Sequence, residues 1–80
     1  MRPALKYIVE AALLAAGGPL KVEQLGELFE EGERPSKQEL YKALHDLADD
    51  YAERGIEIKE VASGWRIQVG EAMAPWVGRL

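Results

Sequence analysis

Residues 56–69, Ile56-Glu57-Ile58-Lys59-Glu60-Val61-Ala62-Ser63-Gly64-Trp65-Arg66-Ile67-Gln68-Val69, change the period of the chain. Before them, apolar residues recur three and four apart; within them the spacing falls to two. Ile56 and Ile58 alternate with Glu57 and Lys59, and Trp65, Ile67 and Val69 alternate with Arg66 and Gln68, the pattern of strands with one face covered. Ala62-Ser63-Gly64 is a small-residue turn between the two runs, so the stretch predicts a β-hairpin.

Immediately upstream lies the clearest helix start in the chain. In Ser36-Lys37-Gln38-Glu39 the serine and the glutamate three residues later fit the capping box, each oxygen accepting from an otherwise free backbone N–H. Leu40, Leu44, Leu47 and Tyr51 then step by four, three and four along one face. This predicts a helix over Ser36–Tyr51, extending for about 17 residues towards a stop at Gly55. Further back, Glu31-Gly32-Glu33-Arg34-Pro35 reads as a polar loop. Val22, Leu25, Leu28 and Phe29 mark a shorter amphipathic helix, preceded by Leu20-Lys21 as an extended link. Leu5, Ile8, Val9, Ala12, Leu13 and Ala16 predict a first helix. Pro3 stands near its start and Gly17-Gly18-Pro19 at its end, where glycine takes a left-handed cap and proline stops the winding. Beyond the hairpin, Pro75 is placed to open one more helical turn within Ala74-Pro75-Trp76-Val77-Gly78-Arg79-Leu80.

A helix, a short extended link, two further helices, a hairpin and a short C-terminal helix, in this order, predict an α+β winged helix-turn-helix. The hairpin is the wing, and Ser36–Tyr51 is the helix that reads DNA in DNA-binding members. Eighty residues make one domain, and at this size only roughly 60–65% of the unfolded surface is buried, which leaves little room for a water-excluding catalytic cavity. An apolar share of 48% beside 30% charged residues excludes the disordered class. The apolar run Val9–Ala16 is broken by Glu10 and falls far short of the about 20 residues of a membrane span. It also lacks the flanks of a secretory signal, so a soluble protein is expected. The absence of cysteine rules out a disulfide or thiolate metal site and agrees with a reducing, cytoplasmic setting.

The residue inventory argues against an enzyme and predicts no cofactor and no metal. His45 is the one histidine; it can pair with Asp49 a turn later, but zinc needs three or four ligands and no second histidine or cysteine exists. Ser36 and Ser63, the only serines, already belong to a helix cap and a turn, and nothing puts an activating base beside either. The glycines do not form a phosphate loop.

Charge weighs against DNA. Residues 20–35 carry two basic and five acidic side chains, residues 36–54 three and five, and the remainder five and four, so the overall −4 is concentrated in the middle of the chain. The would-be recognition helix opens with Lys37 and Lys42 but continues into Asp46, Asp49 and Asp50. Like charges a few ångströms apart repel by roughly 1–4 kcal/mol, whereas DNA binding rests on basic side chains neutralising phosphates. Lys59 and Arg66 on the wing are a thin footprint beside a basic stripe. The alternative reading keeps Lys37, Gln38, Lys42 and Arg66 as DNA contacts of a transcriptional regulator. The aromatic residues favour a protein partner instead, since tryptophan, tyrosine and methionine are enriched at interface cores. Trp65 is either ordinary core or a contact residue. Trp76 stands with Met73, Val77 and Leu80 in a segment that stays apolar to its last residue, which either packs back on the domain or meets more protein. Trp65, Met73, Trp76, Val77 and Leu80 are therefore the candidate contact residues.

Three segments carry a family resemblance. Glu10-Ala11-Ala12-Leu13-Leu14-Ala15-Ala16-Gly17-Gly18-Pro19-Leu20 is similar to the opening signature of the bacterial segregation and condensation protein B family. Val61-Ala62-Ser63-Gly64-Trp65-Arg66-Ile67-Gln68-Val69 resembles that family's wing, and Ala74-Pro75-Trp76-Val77 with Arg79-Leu80 its segment leading to a second half. The three are in register over essentially the whole chain. Ala15 departs from the pattern, where a bulky aromatic is common; Gly18 replaces a frequent glutamate, and Glu30–Pro35 is longer than usual. The resemblance implies a first winged-helix domain of a two-domain protein with no catalysis of its own. It implies a homodimer that binds the kleisin subunit (segregation and condensation protein A-like) and, through it, an SMC ATPase. Chromosome condensation and partition on the nucleoid, in the cytoplasm, is the implied setting.

Overall fold

The computed structural model describes residues 2–80. Its elements are α1 (Leu5–Ala16), α2 (Val22–Gly26), α3 (Lys37–Asp50), β1 (Ile56–Val61), β2 (Gly64–Val69) and α4 (Ala74–Val77), with single 3-10 turns at Glu31–Glu33 and Glu71–Met73. β1 and β2 pair antiparallel with Ile58 opposite Ile67 and Val61 opposite Gly64, leaving Ala62-Ser63 as a two-residue loop. This is the winged helix.

Val9 and Leu13 of α1, Val22 and Leu25 of α2, and Leu40, Ala43, Leu44 and Leu47 of α3 are buried together, and Ile58 and Trp65 cover them from the wing. Each fully buried leucine contributes about 1.5–3 kcal/mol through removal from water. Among the described residues no polar or charged residue is buried, so apolar packing fills the centre, with the Trp65 indole N–H enclosed in it without a hydrogen-bond partner. The C-cap of α1 is Gly17 at φ 65, the left-handed position that glycine occupies without strain. At α3, Glu39 N–H donates to Ser36 Oγ at 3.1 Å and Ser36 N–H donates to Glu39 Oε1 at 2.9 Å, completing the capping box.

Leu20 does more than link helices. Its N–H donates to the Trp65 carbonyl at 2.8 Å and its carbonyl accepts from Trp65 N–H at 2.7 Å, a β-bridge that ties the start of the helical pair to the wing. The close approach depends on Gly64, at φ 134, where a Cβ would stand 2.4 Å from the Leu20 oxygen.

Two helices are shorter than their apolar stripes predict. α2 ends at Gly26 instead of running to Phe29, because Leu28 and Phe29 N–H tighten to the carbonyls three residues back at 3.2 Å; Leu28 is left 58% exposed. α3 spans 14 residues and then unwinds through i→i+3 bonds at Tyr51, Ala52 and Arg54. Asp46, Asp49 and Asp50 crowd its C-terminal end, where the helix dipole favours cations. The loop 31–35 contains one 3-10 turn, and a second 3-10 turn precedes α4; neither has a signal in the apolar pattern.

Candidate protein-interaction surface

The C-terminal segment stands apart from the core. α4 carries Pro75 in its first turn, as the sequence suggests, and packs mainly against the 3-10 turn Glu71–Met73 in a molecule measuring 47 × 22 × 20 Å. Trp76 is 66% exposed, and Val77 and Leu80 are exposed beside it. An indole in water forgoes the burial that makes tryptophan a favoured interface anchor. Met73 is half-buried, its side chain lying against Gly55, where a Cβ would meet its Cγ at 3.4 Å. The structure therefore gathers Met73, Trp76, Val77 and Leu80 on one short segment, with Met73 as its attachment to the body.

Trp65 is elsewhere. It is 5% exposed and packed within the core, and the His45 ring meets its indole in a T-shaped arrangement at a centroid distance of 5.3 Å. The period-2 alternation puts it on the covered face of the wing, so it is a packing residue rather than a surface contact. His45, whose spacing suggests a partner in Asp49, spends its ring on Trp65. No group of three or more His, Asp or Glu side chains suited to holding a metal is gathered among the described residues.

The basic residues of α3 are engaged by carboxylates. Lys37 Nζ is 3.1 Å from Glu23 and Lys42 Nζ 2.8 Å from Asp46. The hydrogen bonds that these lysines donate hold both carboxyls below their ordinary values. Gln38 is exposed without such a tie, and Arg66, half-buried, lies opposite Lys59 across the hairpin. A phosphate approaching α3 would compete with these pairs and meet the aspartates beyond them.

The α1–α3 seam holds a cluster that the apolar periodicity does not reveal. Tyr51 donates its hydroxyl to the Glu10 carboxylate, and Lys6 Nζ donates to Asp50 at 2.8 Å. Arg54 lies over the Tyr51 ring at 5.5 Å. The bond to Glu10 raises the Tyr51 pKa above 10.0, and the bond to Asp50 raises that of Lys6. Glu10, a lone acid inside an apolar run, and Tyr51, a hydroxyl at the end of an apolar stripe, are the signals that point to it. Farther along the seam, Leu5, Lys6, Glu39, Lys42, Ala43 and Asp46 line an open groove of about 320 Å³. No helix among the described residues is long and apolar enough to cross a membrane.

The family model of the segregation and condensation complex subunit ScpB matches residues 7–80. A segregation and condensation protein B homolog of Coxiella burnetii is 44% identical over 75 residues, covering 94% of this chain and 36% of the relative. Segregation and condensation protein B of Syntrophotalea carbinolica is 37% identical over 78 residues, covering 95% and 38% respectively. The chain thus spans between a third and two fifths of the curated relatives it matches. Among solved structures, a crystal structure of a dimer of the ScpB N-terminal domain complexed with an ScpA peptide superimposes with a TM-score of 0.81 at 31% identity, covering 94% of this chain and 85% of that one.

Proposed function

Since the chain belongs to the segregation and condensation complex subunit ScpB family, we propose that it acts as a non-catalytic structural subunit of an SMC–kleisin complex. In this role it pairs with a second copy and binds the kleisin, supporting chromosome condensation and segregation on the nucleoid in the cytoplasm. The observation that carries the reading is its likeness to an ScpB N-terminal domain crystallised as a dimer with an ScpA peptide. The share of its relatives that it spans, together with its likeness to an N-terminal domain, supports its being the first of two winged-helix domains. The ATP chemistry then belongs to the SMC partner. A non-catalytic role agrees with Ser36 in a helix cap, Ser63 in the hairpin turn and His45 against Trp65.

Trp76, Val77 and Leu80, with Met73 anchoring them, are the contact residues in this reading, while Trp65 supports them indirectly by holding the wing. The competing reading, a DNA-binding regulator, asks Lys37 and Lys42 to leave carboxylate partners for phosphates and is not favoured.

Fluorescence anisotropy separates the two. A labelled ScpA peptide should bind the domain, and Trp76→Ala should weaken that binding by about tenfold or more, the scale of a lost aromatic anchor, without altering the far-UV spectrum. Labelled duplex DNA should show no saturable binding at about 50 mM salt, where phosphate attraction is strong. Micromolar DNA binding that weakens steeply with salt, with no peptide binding, would overturn the proposal.

A further inference from the structure

The wing has one closed edge and one open edge. Leu20 exchanges both backbone hydrogen bonds with Trp65 and so occupies the free side of β2, while β1 pairs with β2 alone. Because Trp65 turns its N–H and carbonyl to Leu20, strand alternation sends those of Glu60, its register partner, and of Ile58 and Ile56 away from β2. None of these groups has a backbone partner outside the hairpin among the described residues, and β1 contains no proline to blunt the edge. The face of the wing turned from the core carries Glu57, Lys59, Arg66 and Gln68, since Ile58 and Trp65 take the covered one. Lys59 and Arg66 are direct cross-strand partners, like charges about 5.5 Å apart at Cα, an arrangement that destabilises a hairpin. Neither has an ion pair among the described residues. The neighbouring carboxylate on that face, Glu57, accepts instead from Gln68 Nε2 at 2.8 Å. Arg66 Nε is shut from solvent without an acceptor, so the guanidinium gives up no hydrogen bond at Nε by swinging out to meet one.

From this we infer that β1 takes an extended segment of a partner protein as a further strand, with one carboxylate of that segment set on Lys59 and Arg66. Main-chain bonds to the open edge supply the docking, and alternate side chains supply the choice of partner. The added strand lies about 4.8 Å beyond β1, close enough for an aspartate or glutamate to meet Lys59 and draw in the Arg66 fork. Its opposite side chains fall beside Ile56, which is 39% exposed, and apolar residues fit there. Charge decides between a protein and a nucleic acid. Glu57 stands two residues from Lys59 on the same face, and Glu60 is exposed next to it on the other, so the site suits one isolated carboxylate. Duplex DNA carries one charge for about every 1.7 Å of its axis and would press further phosphates on both acids. None of the residues assigned above to ScpA takes part.

A labelled five-residue peptide, a glutamate between two valines with a threonine at each end, tests this by anisotropy beside its glutamine counterpart. The glutamate peptide should bind at least about tenfold more tightly, the scale of a hydrogen bond to a charged group, and Arg66→Gln should erase the difference. Amide exchange at Ile58 and Glu60 should slow in the bound state, and Trp76→Ala should leave the binding unchanged. Lys59→Glu should abolish peptide binding and raise the melting temperature by a few degrees, as a like-charge pair becomes an opposite one. A lower melting temperature for Lys59→Glu would make the pair a structural one, and the inference fails. It fails also if the two peptides bind equally, if neither binds at millimolar concentration, or if exchange at Ile58 and Glu60 is unmoved. Saturable binding of labelled duplex DNA that Arg66→Gln removes, with no preference between the peptides, assigns the pair to phosphate and overturns the protein partner.

Discussion

Replacing Gly64 by alanine tests how the wing is held. The added Cβ would sit 2.4 Å from the Leu20 oxygen and 2.9 Å from the Lys21 nitrogen, against an ordinary carbon–oxygen contact of about 3.5 Å, so the link must retreat by about 1 Å. A retreat of that size lengthens the Leu20–Trp65 hydrogen bonds from 2.8 and 2.7 Å past useful range, at about 0.5–1.5 kcal/mol each. Holding a non-glycine residue at φ 134 adds about 1–3 kcal/mol of backbone strain. The total is about 2–6 kcal/mol, against a stability of about 4–12 kcal/mol for a domain of this size. Urea unfolding followed by tryptophan fluorescence measures it, in a Trp76→Phe background so that Trp65 alone reports. With a slope of about 1 kcal/mol per molar urea, the midpoint should fall by about 2 M or more. Gly32→Ala, where nothing lies within 4 Å of the new Cβ, should move the midpoint little. A Gly64→Ala loss below about 1 kcal/mol, with an unchanged slope, would refute the claim that close approach to Leu20 requires glycine.

Ser36→Ala should cost about 1 kcal/mol by leaving the Glu39 N–H without its acceptor, lowering the thermal midpoint by about 4–8 °C; an unchanged midpoint would remove the capping box as a source of stability. The pH profile follows from the shifted groups. Glu39, through the bond from the Ser36 backbone N–H, and Glu23 and Asp46, through their lysines, titrate below their ordinary values of 4.5 and 3.8 in the folded state. Their contributions are therefore present above those values and lost as pH falls through the folded ones. Tyr51 and Lys6 are raised above 10.0 and 10.5, so theirs are present below those values and lost as pH rises through the folded ones. Melting temperature against pH should show a plateau across neutrality with a fall on each side, and Tyr51→Phe should flatten part of the alkaline fall. An alkaline fall unaltered by Tyr51→Phe would refute the Tyr51–Glu10 assignment.

The parts of the fold legible in the sequence are those set by neighbours along the chain. Ser36 and Glu39 are three residues apart, the wing declares itself by its period, and Gly17 ends α1 where it should. Apolar spacing overran both shorter helices, because Leu28, Phe29 and Tyr51 continue a stripe whose hydrogen bonding has already changed. The Leu20–Trp65 bridge and the Tyr51–Glu10 bond join residues more than forty positions apart; Glu10 and Tyr51 each stand out in their own apolar stretch, but no local spacing pairs either couple. For the candidate surface, the apolar end at Trp76, Val77 and Leu80 was readable, whereas Trp65 had two readings that only burial could separate. The exposure of Tyr7 and Leu14 has no signal in the sequence, because a helix with two apolar sides looks much like one whose single side is broad.

The bridge between residues 20 and 65 also bears on the order in which the domain is assembled. It is a non-local closure, and bringing such distant segments together costs chain entropy that local helical turns do not. α1, α2 and α3 are complete in the sequence before the closing strand is reached, so a growing chain first has a helical trio whose apolar side lacks Ile58 and Trp65. The wing is thus the lid on the hydrophobic core as well as its last strand pair, and a nascent chain halted before residue 65 would hold that side open to water and to other chains.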